Sequence, residues 1–177
     1  TVDHPIFPST GKKLTASFDV TGGRLGGNVH YYKPTVEIVH HMRVIGNTSL
    51  GFRAMGSYLH GYGGTPPPEG ETIDIFNVEQ TGVPYYNRFF LGGEYQIRGY
   101  YIRSVGPRNE RGQLLGGNKM LLFNAEYQIS IAQPVRIIFF YDTGHVQDFG
   151  RDFRMNEFKT STGAELRFFM PMLNVPF

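Results

Sequence analysis

In 177 residues there is no cysteine, so neither a disulfide nor a thiolate metal site holds this protein together. Charge is scarce as well: 18% of the residues are Asp, Glu, Lys or Arg, and the net charge is +2. The lysines and arginines are scattered rather than gathered into a stripe, and no RNA-binding aromatic motif accompanies them. Both facts exclude a nucleic-acid partner. No stretch approaches the ~18 consecutive apolar residues of a transmembrane helix. Thr1 to Pro8 has neither the basic start nor the apolar run of a signal peptide, so an exported protein is expected to appear here as a processed chain or a fragment. What the sequence does have is 23 Gly, 15 Phe and 11 Tyr, within a hydrophobic share of 40% that suffices for a core. A cysteine-free, aromatic and glycine-rich profile fits a reducing compartment or an outer membrane equally.

The dominant period is two. Residues 13–21 alternate Leu14, Ala16, Phe18 and Val20 with Thr15, Ser17, Asp19 and Thr21. Residues 31–41 set Tyr32, Val36 and Ile38 against Lys33, Thr35 and Glu37, and residues 49–58 set Leu50, Phe52, Ala54 and Tyr58 against Gly51, Arg53 and Ser57. Further on, Phe123, Ala125, Tyr127 and Ile129 oppose Asn124, Glu126 and Gln128 within residues 118–131. Thr162, Ala164, Leu166 and Phe168 oppose Gly163, Glu165 and Arg167, while residues 135–143 are nearly all apolar until Asp142. Six strands with one apolar face each are therefore expected, and no helical pattern competes.

Their connections alternate in length. IGNTS, IAQP and PMLN are tight; GGRLGGN, the stretch 61–117 and HVQDFGRDFRMNEF are long. Short turns at one end, long loops at the other and strands of ~9 to 11 residues with an apolar exterior describe a transmembrane β-barrel. A soluble antiparallel sandwich shares the alternation and the clustered loops, so periodicity alone leaves both readings open.

Five blocks occur in order: DHPIFPSTG, LGGEYQIRGY with SVGP, LGGN followed by AEY, FFYDTGHV, and STGAELRFFMP. In this order and spacing they resemble the BamA family of outer-membrane β-barrel assembly proteins and its transporter superfamily, over essentially the whole chain. The most specific matches are the tripeptide Arg98, Gly99, Tyr100, the spacing of Phe140, Asp142 and Gly144, and Asp3 with the FPSTG turn.

The resemblance implies an all-β, antiparallel barrel segment of about six full strands from a larger barrel of sixteen strands in the family. Residues 1–177 would be part of that outer-membrane barrel, lacking the last strands, and residues 61–117 a long extracellular loop folding back into its lumen. There Arg98 would meet Glu126 and Asp142 on the inner wall of two adjacent strands and latch the loop. Alternation alone turns Glu126 to the polar face, and Asp142 interrupts an apolar strand where an unpaired carboxylate is costly. A guanidinium fork satisfies two such groups. Without the ordered blocks, Arg98 would read as one more solvated loop charge. As the resemblance further implies, the whole protein sits in the bacterial outer membrane and inserts unfolded outer-membrane proteins with accessory assembly lipoproteins. It uses no cofactor and no enzymatic chemistry, and it contacts outer-membrane lipid. The family's periplasmic domains and its first and last strands, which form the lateral gate, are absent from these residues. Two alternatives share the pattern: the barrel of a two-partner secretion transporter, and the C-terminal barrel of a patatin-like lipolytic protein.

Other residues read more plainly. His40 and His41, adjacent on a strand, point to opposite faces and cannot chelate one ion. GGRLGG lacks the helix and Lys-Ser/Thr pair of a phosphate loop. Asp3, Asp19, Asp142 and Glu165 lack a nucleophile signature such as G-x-S-x-G and read as structural carboxylates. The TPPPEG run is expected to be a stiff exposed loop. Tyr31, Tyr32, Tyr58 and Tyr62 near strand ends suit an aromatic girdle or ordinary sheet packing.

Overall fold

The computed structural model describes residues 10–27, 29–62, 83–132, 135–147, 149, 153–170 and 175–176. Asp3 with most of the FPSTG turn, the proline run, and residues 63–82 of the long connection lie outside them. β-branched and aromatic residues in alternation build six long strands: β1 (Gly11–Thr21), β2 (Tyr31–Arg43), β3 (Thr48–Tyr58), β5 (Lys119–Ala132), β6 (Val135–Gln147) and β7 (Lys159–Met170). Two short ones complete the sheet. β4 (His60–Gly61) pairs with β2, and β8 (Val175–Pro176) pairs antiparallel with the end of β7.

The order β1-β2-β3-β5-β6-β7-β8 is a meander in which every pairing is antiparallel. At one end β2 turns directly into β3, closed by Val44 N–H to the Thr48 carbonyl at 3.1 Å and Thr48 Oγ1 to the Ile45 carbonyl at 2.7 Å. The long connections all leave from the other end, as the alternation of loop lengths predicts.

Register decides which side chains share a face. Leu14 stands opposite Ile38, Ala54 opposite Phe123, and Phe139 opposite Ala164, so the apolar residues of all six strands form one continuous surface. Among the described residues nothing covers that surface: Leu14 is 71% exposed, Phe18 65% and Leu166 66%. In a water-soluble sandwich this face would pack against a second sheet. Here the polar face carries the second layer, which is residues 83–117 of the long connection. The core lies between that segment and the wall, with Leu91, Ile97 and Val105 from the segment packed on Met120, Leu122 and Val146. Burying side chains of this size contributes about 1.5–3 kcal/mol each.

Two details depart from expectation, and of the tyrosines for which a girdle and ordinary packing were both open, Tyr31 and Tyr32 divide between them. β6 runs four residues past Thr143, and β7 starts three residues before Thr162. His145, Val146 and Gln147 are all buried, because both faces are covered there: the folded-back segment packs on Val146, while the β6–β7 connection sets Phe153 and Phe158 against the His145 ring and the Glu157 carbonyl 3.2 Å from its Nδ1. The alternation that marks a half-exposed strand is lost there. Tyr31 faces inward, packed with Leu59 and Val83, and so does not belong to a girdle. Tyr32 does face outward, with Phe18 at 6.0 Å, Tyr58 at 6.4 Å and His60 at 4.9 Å between ring centroids.

Candidate functional site

The segment that carries Arg98 is shaped before it meets the wall. Leu91 and Val105 pair as a short antiparallel bridge, and Gly93 N–H bonds to the Tyr100 carbonyl at 2.9 Å. Gly92, at φ 115°, leaves no room for a side chain, since a Cβ would run into the Tyr101 carbonyl. Gly99 lies so near β7 that a Cβ would stand 3.3 Å from Ser161 Oγ, and Tyr100 Oη donates to the Thr160 carbonyl at 3.4 Å.

Arg98 ends on the wall with nearly every donor engaged. Its Nε and Nη2 grip Asp142 side-on, at 2.8 Å to Oδ2 and 2.8 Å to Oδ1, and its own backbone N–H adds a third bond to Oδ2 at 3.1 Å. Nη1 divides between Glu126 Oε1 at 2.8 Å and Glu165 Oε2 at 3.1 Å. The guanidinium also lies over the Phe140 ring, 3.8 Å from its centroid. Burial by itself disfavours the charge on Arg98, yet hydrogen bonding to Asp142 and the field of Glu126 outweigh it and raise its pKa.

Asp142 is fully buried, which an isolated carboxylate could not afford. Four donors satisfy it, the fourth being Asn124 Nδ2 at 2.8 Å. Gly144, two residues along the same face, gives the segment its clearance: a Cβ there would stand 2.8 Å from Leu91 Cδ1 and 3.1 Å from Ile97 Cδ1. Around this centre Gln128 donates to Glu126 at 3.0 Å, and Arg167 bonds to Glu165 from Nε at 3.0 Å and sits 2.9 Å away with Nη2. An open cavity of about 870 Å³ beside the cluster is lined by Arg53, Arg98, Glu126, Glu165 and Arg167. Guanidinium groups face the carboxylates, an arrangement that fixes a backbone position rather than one that moves protons.

The structure thus brings together Arg98, Gly99, Glu126, Asp142 and Gly144, and places Tyr100 at their margin, against the Thr160 carbonyl of β7. Two further participants were not anticipated. Glu165 supplies a third carboxylate, and the outward Ala164 and Leu166 on either side of it already imply its inward direction. Asn124 ties Asp142 to the Gln96 carbonyl at 2.7 Å, for which a single asparagine in an alternating strand gives no signal. Asp19 stands apart, paired with Lys33 at 3.0 Å. His40 and His41 lie on opposite faces of β2, as strand geometry requires.

An open antiparallel wall, apolar and bare outside, polar and packed by its own long connection inside, is a stretch of outer-membrane β-barrel. Residues 1–177 match the Omp85 superfamily domain, and the chain belongs to that superfamily. It is 30% identical to the outer membrane protein assembly factor BamA of Nitratidesulfovibrio vulgaris, an alignment that covers 100% of this chain and 21% of that protein. A second BamA, from Neorickettsia risticii, is 38% identical over 40% of this chain and 10% of its own length. Among solved structures, that of BamA from Haemophilus ducreyi lacking POTRA domains 1-3 superposes with a TM-score of 0.75 at 20% identity, over 97% of this chain and 35% of that one. The chain therefore spans about a fifth of the first relative and about a third of the solved chain.

Proposed function

We propose that this chain is the latched part of the barrel of an outer-membrane protein assembly factor, a protein that folds and inserts other β-barrels without enzymatic chemistry. The observation that carries the reading is similarity along the entire chain to a protein so named. Its substrates are unfolded outer-membrane proteins, its surroundings are outer-membrane lipid, and accessory lipoproteins assist it.

Within that protein, residues 61–117 form an extracellular loop that returns into the lumen, and Arg98, Gly99 and Tyr100 latch it to Glu126, Asp142 and Gly144. The contacts of Arg98 with Asp142, Glu126 and Glu165 support this role, because removing the guanidinium leaves a buried carboxylate unpaired. A latched loop keeps this side of the wall in one register while strands elsewhere in the barrel rearrange around a substrate. The test is complementation: cells depleted of the native protein receive full-length Arg98→Ala, and folded porin in the outer membrane is measured. Porin at the wild-type level with the loop demonstrably released would remove the latch from the mechanism.

A further inference from the structure

Arg98 does not hold its segment alone. Three residues earlier, the Tyr95 carbonyl accepts a hydrogen bond from Arg53 Nη1 of β3 at 2.8 Å. Arg53 is itself aimed by Glu37 of β2, whose Oε1 takes its Nε at 2.6 Å, and its Nη2 rests 3.8 Å from Met55 Sδ. The next carbonyl, that of Gln96, accepts from Asn124 of β5 at 2.7 Å, and Arg98 then reaches Asp142 of β6 and Glu165 of β7. Successive residues of the segment therefore step across β3, then β5, then β6 and β7, in the order in which those strands lie in the sheet, and β2 is joined through Glu37. Between the polar steps, Ile97 is fully buried in the core.

From this stepping we infer that Arg53, oriented by Glu37, is a second positioning residue that anchors the 95–98 stretch at the end away from Arg98 and makes it a brace across four strands, β3, β5, β6 and β7, with β2 joined through Glu37. One anchor fixes a point about which a chain pivots; two fix its direction. The contact is charge-assisted, and it is made to a backbone carbonyl, so it does not depend on the Tyr95 side chain, which is 84% exposed. The parity of β3 places Arg53 on the same inward face as Met55 and Ser57, so the anchor is built by the strand pattern itself. Because the brace ties β2 and β3 to β6 and β7, a change of register among these strands cannot occur without loosening the segment. The inference rests on the latch reading only in that both arginines hold one stretch of chain.

These 177 residues hold no cysteine, so with any cysteine elsewhere in the full-length protein replaced by serine, single cysteines introduced at Tyr95 and at Tyr101, the latter 89% exposed, report the two sides of Arg98. In full-length protein folded into lipid and spin-labelled at one of these sites, Arg53→Met should raise the mobile fraction at position 95 about tenfold, the factor that one charged hydrogen bond carries. Position 101 should change little, and Arg98→Ala should mobilise it instead. Migration of the unboiled protein on a gel verifies that each variant folds. If Arg53→Met does not fold, Arg53→Lys takes its place, with a smaller rise at position 95 expected because a point charge replaces the fork. Unchanged mobility at position 95 in the folded variant overturns the brace, however Arg98 behaves. If Arg98→Ala leaves both labels unchanged while Arg53→Met mobilises position 95, the latch reading fails and the anchor at Arg53 stands.

Discussion

Asp142 is the residue on which the inner cluster turns, since it alone of the three carboxylates is completely removed from solvent. Taking Arg98 away strands it, and breaking a buried pair in this way costs about 3–5 kcal/mol, less where lumenal water enters. Arg98→Ala should therefore expose the segment to protease, and Asp142→Asn should do the same. Combined, the two changes should do no more harm than the worse single one, because both delete the same bonds. Simple addition of their effects in a protease-sensitivity cycle would mean that the two residues are not coupled. Lysine at position 98 should rescue only in part, for want of a planar fork. Gly144→Ala probes the same contact from the side of shape: its methyl meets Leu91, Ile97 and the Leu121 carbonyl, and overpacking of this kind costs about 1–3 kcal/mol. Loosening of the segment with no change in the sheet is the expected outcome, and an unaltered protease pattern would show that the approach is less close than described.

Five of the six long strands largely repeat one rule, with apolar side chains outward and polar ones inward, and were legible from period two, whereas β6 was marked by its apolar run up to Asp142 because Ile138 on its inner face is buried too. Legibility failed where a second layer intervened. Residues 145–147 are covered on one face by the folded-back segment and on the other by the β6–β7 connection, so the exposure difference that writes the alternation into a sequence is missing there. The segment itself has no period, and the meeting of Arg98 with Asp142 could be anticipated only through the resemblance of ordered motifs. Glu165 was readable as inward, but inward direction does not say which of several charges a loop will reach. The rule gives a sharp test within a single strand. Ala16 and Ser17 are neighbours on opposite faces of β1, and Ala16→Arg should destabilise the barrel by about 2–4 kcal/mol near the bilayer midplane, whereas Ser17→Arg should be tolerated. Equal losses in unfolding experiments from lipid would contradict the assignment of faces.

The whole sheet inverts the usual arrangement of a water-soluble protein, in which the apolar face is covered and the polar face is bare. That inversion is stable only if lipid lies against Leu14, Phe18, Ile38, Phe139 and Leu166. It also orients the molecule. A cysteine at Asn47, in the tight turn, should be labelled from the periplasm only, and one at Arg24, in a long connection, from outside only. The most direct test scans β5 in the full-length protein in a bilayer, with spin labels placed singly at residues 122 to 129. Collisions with oxygen, which concentrates in lipid, should be frequent at positions 123, 125, 127 and 129 and rare at the even positions between them. Equal access of a water-soluble relaxation agent to both sets, or an alternation of the opposite phase, would contradict a membrane wall with its long connection folded inside.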